Sequence, residues 1–270
     1  MSVSEFFDLF LKELEQSPKL QYYYKYHQDP QKLLFRKAYF CQRLQYIYDN
    51  VNNNPGKIWD CGCGFGTTGI FLALNGIESY GTTLEHYMAE IPARVAFYKS
   101  YGNVNLFHYD YADLFTQAPK PESFDTVIIQ DTLHHLEPID SALKILNQSL
   151  TKKGKLIAVE ENGDNVIQRL KLYKQRGNKR IIEIYDEQLG RNILLGNENI
   201  RGLSSWKKLF EKQGFVIDQK SIHYVRYYLL KQFTTDNYDS ILVNEQKLWK
   251  KSPLKRKYFF FGLNFIAHKK

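Results

Sequence analysis

Apolar residues at positions 3, 6, 7, 10, 11 and 14 recur at helical spacing, so Val3, Phe6, Phe7, Phe10, Leu11 and Leu14 predict an amphipathic first helix. Pro18 lies just beyond it, followed by an aromatic patch, QYYYKYHQDP, and a second helical stretch from Gln31 to Val51 that stops at the turn cluster NNNPG. The rhythm then changes. Short apolar runs (KIWD, IESYGTTLE, NVNLFHYD, FDTVIIQD and GKLIAVEE) read as strands. Between them lie helical patterns: TTGIFLALNG ending at Gly76, a stretch from Met88 to Tyr101, and PIDSALKILNQSL with an acid in its first turn. Strand–helix alternation of this kind predicts an α/β fold, a doubly wound, mainly parallel, seven-stranded Rossmann-like sheet with an N-terminal helical cap.

After Gly163 the alternation breaks. Residues 164–202 are too long for an ordinary connection and predict an inserted lid or substrate segment over the strand ends. SSWKKLFEKQGF restores a helix, with Ser204 or Ser205 as its cap and Gly214 as its stop, and FVIDQKSIHYVRYY and KYFFFGLNFIAHKK read as two further strands. The division is a cap over residues 1–55 and one larger domain over residues 56–270.

Composition narrows the class. Three cysteines (Cys41, Cys61 and Cys63) are too few for a disulfide framework, and no Cys/His set at ligand spacing accompanies them, so no metal site is expected. The N-terminus lacks a basic leader region, and no window of 18 uncharged apolar residues exists to span a membrane, so the expected location is cytoplasmic. The net charge of +8 is uneven: residues 1–150 hold 12 Lys/Arg against 17 Asp/Glu, and the remainder holds 25 against 12. The basic half suits nucleic acid, a transient contact with anionic lipid, or an acidic small molecule; it also suits a plain solvated surface.

The chemistry concentrates in DCGCGFGTTG, residues 60–69. Its Gly64, Gly66 and Gly69 spell the G-x-G-x-x-G of dinucleotide turns, yet Asp60 sits in the same loop. Acids also fall at the predicted carboxyl ends of the next three strands: Glu85, Asp110 and Asp131. Ligands of such sheets bind at those ends. Two like unit charges ~4 Å apart cost about 1 kcal/mol even in water, and more near a protein surface. A pyrophosphate would meet repulsion from each acid, whereas a cation reverses every term. S-adenosylmethionine (SAM) carries a sulfonium and an ammonium and no phosphate.

These residues resemble the class I SAM-dependent methyltransferase family over about residues 56–163, and more weakly over 206–218. The glycine motif is Asp60, Gly62, Gly64 and Gly66; the acid after the third strand is Asp110, in FHYDYADL; the fourth-strand motif is SFDTVIIQDTLHHLEP, where the backbone at Gln130 corresponds to a contact with the methionine ammonium. The resemblance implies SAM as cofactor, bound by Asp60, Gly62, Cys63, Gly64, Gly66, Thr83, Leu84, Glu85, Asp110, Tyr111 and Gln130. One departure is that Thr83 occupies the place of the acid that usually binds the ribose, with Glu85 two residues later. GCGFGTT and GTTLE are similar to a subgroup that methylates lipids and small hydrophobic acceptors, including cyclopropane fatty acid synthases. That subgroup's N-terminal aromatic–cysteine signature is not matched.

His134 and His135 follow the fourth strand, where the resemblance places methyl group and acceptor. Either is a candidate general base, with Asp131 a candidate to orient it; the alternative is that the pair packs the next helix. Glu160 and Glu161 end the fifth strand facing acceptor or solvent. Lys171, Lys174, Arg176, Lys179 and Arg180 hold an anionic group of the acceptor or form a wet face. Tyr22, Tyr23, Tyr24 and Tyr26 line an apolar pocket or pack the cap. The favoured function is methylation of an oxygen or carbon on a hydrophobic small molecule or lipid precursor, with or without an anionic group. A nucleic-acid methyltransferase is less favoured, since QDTLHH stands where an N-P-P-Y-like phrase would serve exocyclic amines. A SAM-binding module without catalysis is the third reading. These motifs specify neither the acceptor nor an oligomeric state.

Overall fold

Strand β1 (Ile58–Cys61) is buried on both faces and pairs in parallel with β2 (Ser79–Thr83) on one side and β4 (Phe124–Gln130) on the other. It therefore sits mid-sheet, as a continuous apolar run requires. The computed structural model describes residues 1–26, 32–53, 56–187, 189–227 and 238–270, the side chains of residues 85, 86, 238 and 239 excepted. β3 (Phe107–Tyr111) runs parallel to β2, and β5 (Leu150–Glu161) runs parallel to β4. After the insertion's β6 (Ile181–Asp186) and β7 (Arg191–Gly196), the chain forms β8 (Phe215–Ile217), β9 (His223–Tyr227) and β10 (Phe260–Lys269). The order β3-β2-β1-β4-β5-β10-β8 gives the expected seven-stranded mainly parallel sheet, with β10 antiparallel to β5 and β9 paired along β10.

FVIDQKSIHYVRYY forms two strands where one was expected, because Asp218 turns the chain: its Oδ1 accepts from Lys220 N (2.9 Å) and its carbonyl from Ser221 N (3.2 Å).

Helices cover both faces. α1 (Val3–Gln16), α2 (Pro18–Tyr24) and α3 (Leu33–Val51) form the cap, and α4 (Thr67–Leu74), α5 (Glu85–Met88) and α6 (Ile91–Tyr98) follow the first two strands. α7 (Ile139–Ser149), α8 (Val166–Arg176) and α9 (Leu203–Lys212) come next, then α10 (Tyr238–Lys251) and α11 (Pro253–Phe259). On β4, Val127 and Ile129 face a core shared with Trp206 and Phe210, while Ile128 faces one shared with Phe6, Phe7 and Phe71. The α9 cap differs from expectation: Gly202 is the N-cap, and neither Ser204 nor Ser205 caps the helix.

The apolar face of α1 is as predicted except that Leu11 is half-buried and Glu13 is buried in its place. Glu13 accepts from Arg94 through both carboxylate oxygens (2.6 and 2.8 Å) and from the Tyr98 hydroxyl (2.9 Å). Arg94 also donates to the carbonyl of Phe65 (2.7 Å), so the cap is fastened to the glycine loop by a buried, paired charge.

Candidate active site

The loop after β1 turns back at once: the amides of Gly62 and Cys63 both donate to the carbonyl of Thr82 (2.9 and 3.0 Å). Gly62 has φ 79°, and a Cβ there would lie 2.4 Å from Thr132 Cγ2, so glycine is demanded twice. Gly64 has φ 53° with nothing within 4 Å of a Cβ, because it borders open space. Gly66 begins α4 as its N-cap.

That space is a cavity of about 820 Å³. Of the residues the sequence singled out, Asp60, Gly62, Cys63, Gly64, Thr83, Leu84, Gln130, Asp131 and His135 line it. Gly66, Asp110, Tyr111 and His134 do not, and the side chain of Glu85 lies outside the described residues. Asp110 is exposed; burial, then the neighbouring Asp110 carboxylate, push Tyr80 up to about 12. The wall beyond β3 is instead supplied by Ala112, Asp113 and Leu114.

Asp60 is only 1% exposed, and its Oδ2 has no hydrogen-bond partner among the described residues. Burial pushes its carboxyl up to about 7. A buried carboxylate of this kind is stabilised by a cation brought against it. Nearby, the Gln130 side chain is fixed by the Thr68 hydroxyl (2.9 Å), and its carbonyl accepts from the Thr132 hydroxyl (2.9 Å) while keeping a second lone pair. The unpartnered Asp60 oxygen and the uncrowded edge at Gly64 fit an ammonium-bearing cofactor such as SAM.

The cap roofs this cleft with Tyr23, Tyr24 and Tyr26, whereas Tyr22 points outward at 74% exposure. Tyr23 and Tyr87 each lie edge-on to Phe65, with centroids 5.0 Å away. The roof is tied down by Arg43 of α3, which donates to both oxygens of Asp131 (2.7 and 2.5 Å) and to the carbonyl of Val159 (2.9 Å). The Asp131 carboxylate is thus held by Arg43 and orients neither imidazole. Asp131 itself holds a left-handed φ of 51°.

His134 is oriented by Glu160. Its Nδ1 lies 2.5 Å from Oε2, and Oε1 of the same carboxylate accepts from the amides of Thr132 (3.0 Å) and Leu133 (2.8 Å). Burial pulls the His134 imidazole down, but the charge and hydrogen bond of Glu160 together outweigh it and hold it at about 9. His134 is therefore a buried imidazolium. His135 is the opposite case. Its Nδ1 lies 2.9 Å from the Gly196 carbonyl, which can only accept, so the proton sits on Nδ1 and Nε2 carries the lone pair. Burial, then the positive charge of His134, push His135 below the ordinary imidazole range. Two adjacent histidines are thus driven apart, one cationic and one neutral. Donor atoms, one each from His134, His135 and Glu198, lie within 4.8 Å of one another, a grouping of metal-type donors among the described residues. With His134 ionised, this geometry is that of an ion pair, at 3.8 Å from His134 Nε2 to Glu198 Oε2.

The insertion supplies the outer wall through Ile184, Arg191, Ile193 and Leu195. Arg191 also donates to Asp113 (3.1 Å). Lys171, Lys174, Arg176, Lys179 and Arg180 contribute nothing to the lining, and neither do Glu160 and Glu161; Glu161 accepts from Gln168 (2.7 Å) behind the wall. Arg43 and Arg191 had no sequence signal as site residues, since nothing local marks a partner 88 or 78 positions away.

Residues 59–156 match a family described as a methyltransferase domain. Among solved structures, magnesium protoporphyrin IX methyltransferase from Synechocystis PCC 6803, with bound SAH, is 17% identical with a TM-score of 0.57, covering 97% of this chain and 99% of its own. A SAM-dependent methyltransferase from Mesorhizobium loti is 18% identical (TM-score 0.53; 86% and 98% covered). Phosphoethanolamine N-methyltransferase 2 from Haemonchus contortus, in complex with SAM, is 16% identical (0.52; 84% and 52%). These likenesses are of fold. A search of curated proteins found no match.

Proposed function

We propose that this chain, whose residues 59–156 match a methyltransferase domain, is a class I SAM-dependent methyltransferase that methylates an oxygen or an acidic carbon of an apolar, proton-bearing small molecule. The observation that supports this most is the neutral His135 on the cavity wall, with Nδ1–H engaged by the Gly196 carbonyl and Nε2 left as a base. Bound SAM supplies a methyl group already activated by its sulfonium. Asp60, Gly62, Gly64, Thr83, Leu84 and Gln130 are the residues that would hold it. The acceptor's proton passes to His135 Nε2, and the resulting anion is the nucleophile. Ile184, Ile193, Leu195 and the cap tyrosines make the acceptor's surroundings apolar, excluding water and aligning the reactants, an effect that can be worth several kcal/mol. Arg191 lines this wall paired with Asp113, and its remaining guanidinium donors suit an acceptor with an anionic group.

The test is a panel of phenolic, enolic and carboxylate acceptors offered with SAM. Wild type is expected to methylate a subset, and His135→Asn to lose roughly 10²–10⁴-fold in kcat while SAM affinity holds. Undiminished turnover in His135→Asn would remove the base from the account.

A further inference from the structure

Helix α8 and the β6–β7 hairpin present apolar side chains on faces that nothing in the described chain covers. On α8, Val166, Leu170 and Tyr173 follow one another at i, i+4 and i+7; Leu170 is 68% and Tyr173 60% exposed, while Gln168 and Leu172 are the residues turned inward. A helix of a monomeric globule buries its apolar stripe; this one keeps a second stripe outside. The hairpin repeats the pattern. Pairing of Ile184 with Ile193 and of Ile182 with Leu195 puts Ile184, Ile193 and Leu195, all cavity-lining, on one face. Of the alternate residues on the other face, Ile181 and Tyr185 are exposed and stay clear of the cavity, while Leu194 is exposed at the cavity rim.

Charge identifies what covers these faces. Residues 166–180 hold six basic residues (Arg169, Lys171, Lys174, Arg176, Lys179 and Arg180) and no acid. Only Arg176 of the six is less than exposed. None of the six forms an ion pair with a described carboxylate. An apolar stripe flanked by uncompensated cations matches a surface that is anionic at its face and apolar just beneath, where side chains sink past the headgroups while Lys and Arg stay among the phosphates. A nucleic acid offers the charge without the apolar layer.

We propose that α8 and the outer face of the β6–β7 hairpin dock on an anionic lipid bilayer, setting the hairpin rim of the cavity at the membrane. The inner face of that hairpin is the acceptor wall, so an acceptor dissolved in the bilayer enters without crossing bulk water. This deepens the proposed function by naming the phase that holds its acceptor; docking itself is measured without turnover, so failure of one does not imitate failure of the other.

The experiment is co-sedimentation of the full chain with vesicles of phosphatidylcholine alone and of phosphatidylcholine mixed with phosphatidylglycerol, at low and high salt. Leu170→Asp and the double variant Lys171→Glu/Lys174→Glu are compared by the same assay, with SAM titration as the control for folding, since none of these residues lines the cavity. The expected result is binding to the anionic vesicles that weakens at least about tenfold on neutral vesicles, and by a similar factor in each variant, with SAM affinity unchanged. The comparison of vesicles needs no variant. Absence of wild-type binding to anionic vesicles overturns the proposal. So does a concentration-dependent dimer broken by Leu170→Asp, which would make a second copy the cover, or RNA binding insensitive to Leu170→Asp, which would make this a polyanion surface.

Discussion

Arg43 on α3 closes a two-pronged hydrogen bond on Asp131 at the end of β4, at 2.7 and 2.5 Å, linking the cap to the sheet across 88 residues. Its guanidinium is buried and also bonds the Val159 carbonyl. Arg43→Ala is expected to cost about 2 kcal/mol, because Asp131 and a buried carbonyl lose a charged donor. For a chain of this size that lowers Tm by roughly 4–8 °C. Arg43→Lys should recover only part, since an ammonium cannot form the planar fork. Thermal melting of the three proteins checks this; equal Tm values for wild type and Arg43→Ala would refute it.

The His134–Glu160 pair predicts a loss of stability in alkali. The folded imidazole is raised to about 9 from an ordinary 6.5, so its contribution is complete below 6.5 and disappears as pH rises through about 9. The urea midpoint should fall over that window, reflecting a loss on the order of 3 kcal/mol in unfolding free energy. Glu160→Gln preserves an acceptor for the Thr132 and Leu133 amides and should flatten the slope. A variant with an unchanged slope would show that another group titrates.

Asp60 ties cofactor affinity to pH in the opposite sense. Burial raises it to about 7, so at lower pH it is protonated and a cationic ligand must displace that proton. SAM affinity should therefore rise from about pH 5.5 to about pH 7.5, a range below that in which an α-ammonium loses its own proton. Asp60→Asn should remove the dependence and weaken binding roughly tenfold at the upper end. Calorimetry at several pH values decides this; an affinity flat with pH in wild type would contradict it.

Gly62→Ala places a Cβ 2.4 Å from Thr132 Cγ2 on a backbone with φ 79°. It should cost at least about 2 kcal/mol and impair SAM binding, because the turn that presents the loop must open. A variant with wild-type stability and affinity would mean the loop is not shaped as described.

Much of the sheet was legible because parallel strands covered on both faces write themselves as apolar runs, as in VII of β4 and LIAV of β5. The glycine loop was legible because Asp60 and three glycines are local in sequence. The partners of the catalytic candidates were not. Asp131 looked like an orienting acid beside two histidines, yet Arg43, 88 residues away, takes it. Glu160 looked like a strand end, yet it is the carboxylate under His134, 26 residues away. The cations of the insertion read equally as substrate ligands or as a wet face because charge carries no direction in a sequence. Only pairing in the β6–β7 hairpin separates the inner Ile184 and Ile193 from the outer Ile181 and Tyr185. Likewise α2 was read as an aromatic patch, since its Ser17 cap and Pro18 start are brief signals beside four tyrosines.

The most direct measurement is calorimetric titration of the purified protein with SAM, with S-adenosylhomocysteine and NADH in parallel and Asp60→Asn as the control. The acid-lined glycine loop predicts that both adenosyl ligands bind, that NADH does not, and that the substitution weakens SAM. Binding of NADH alone would contradict the charge argument and every cofactor contact assigned from it.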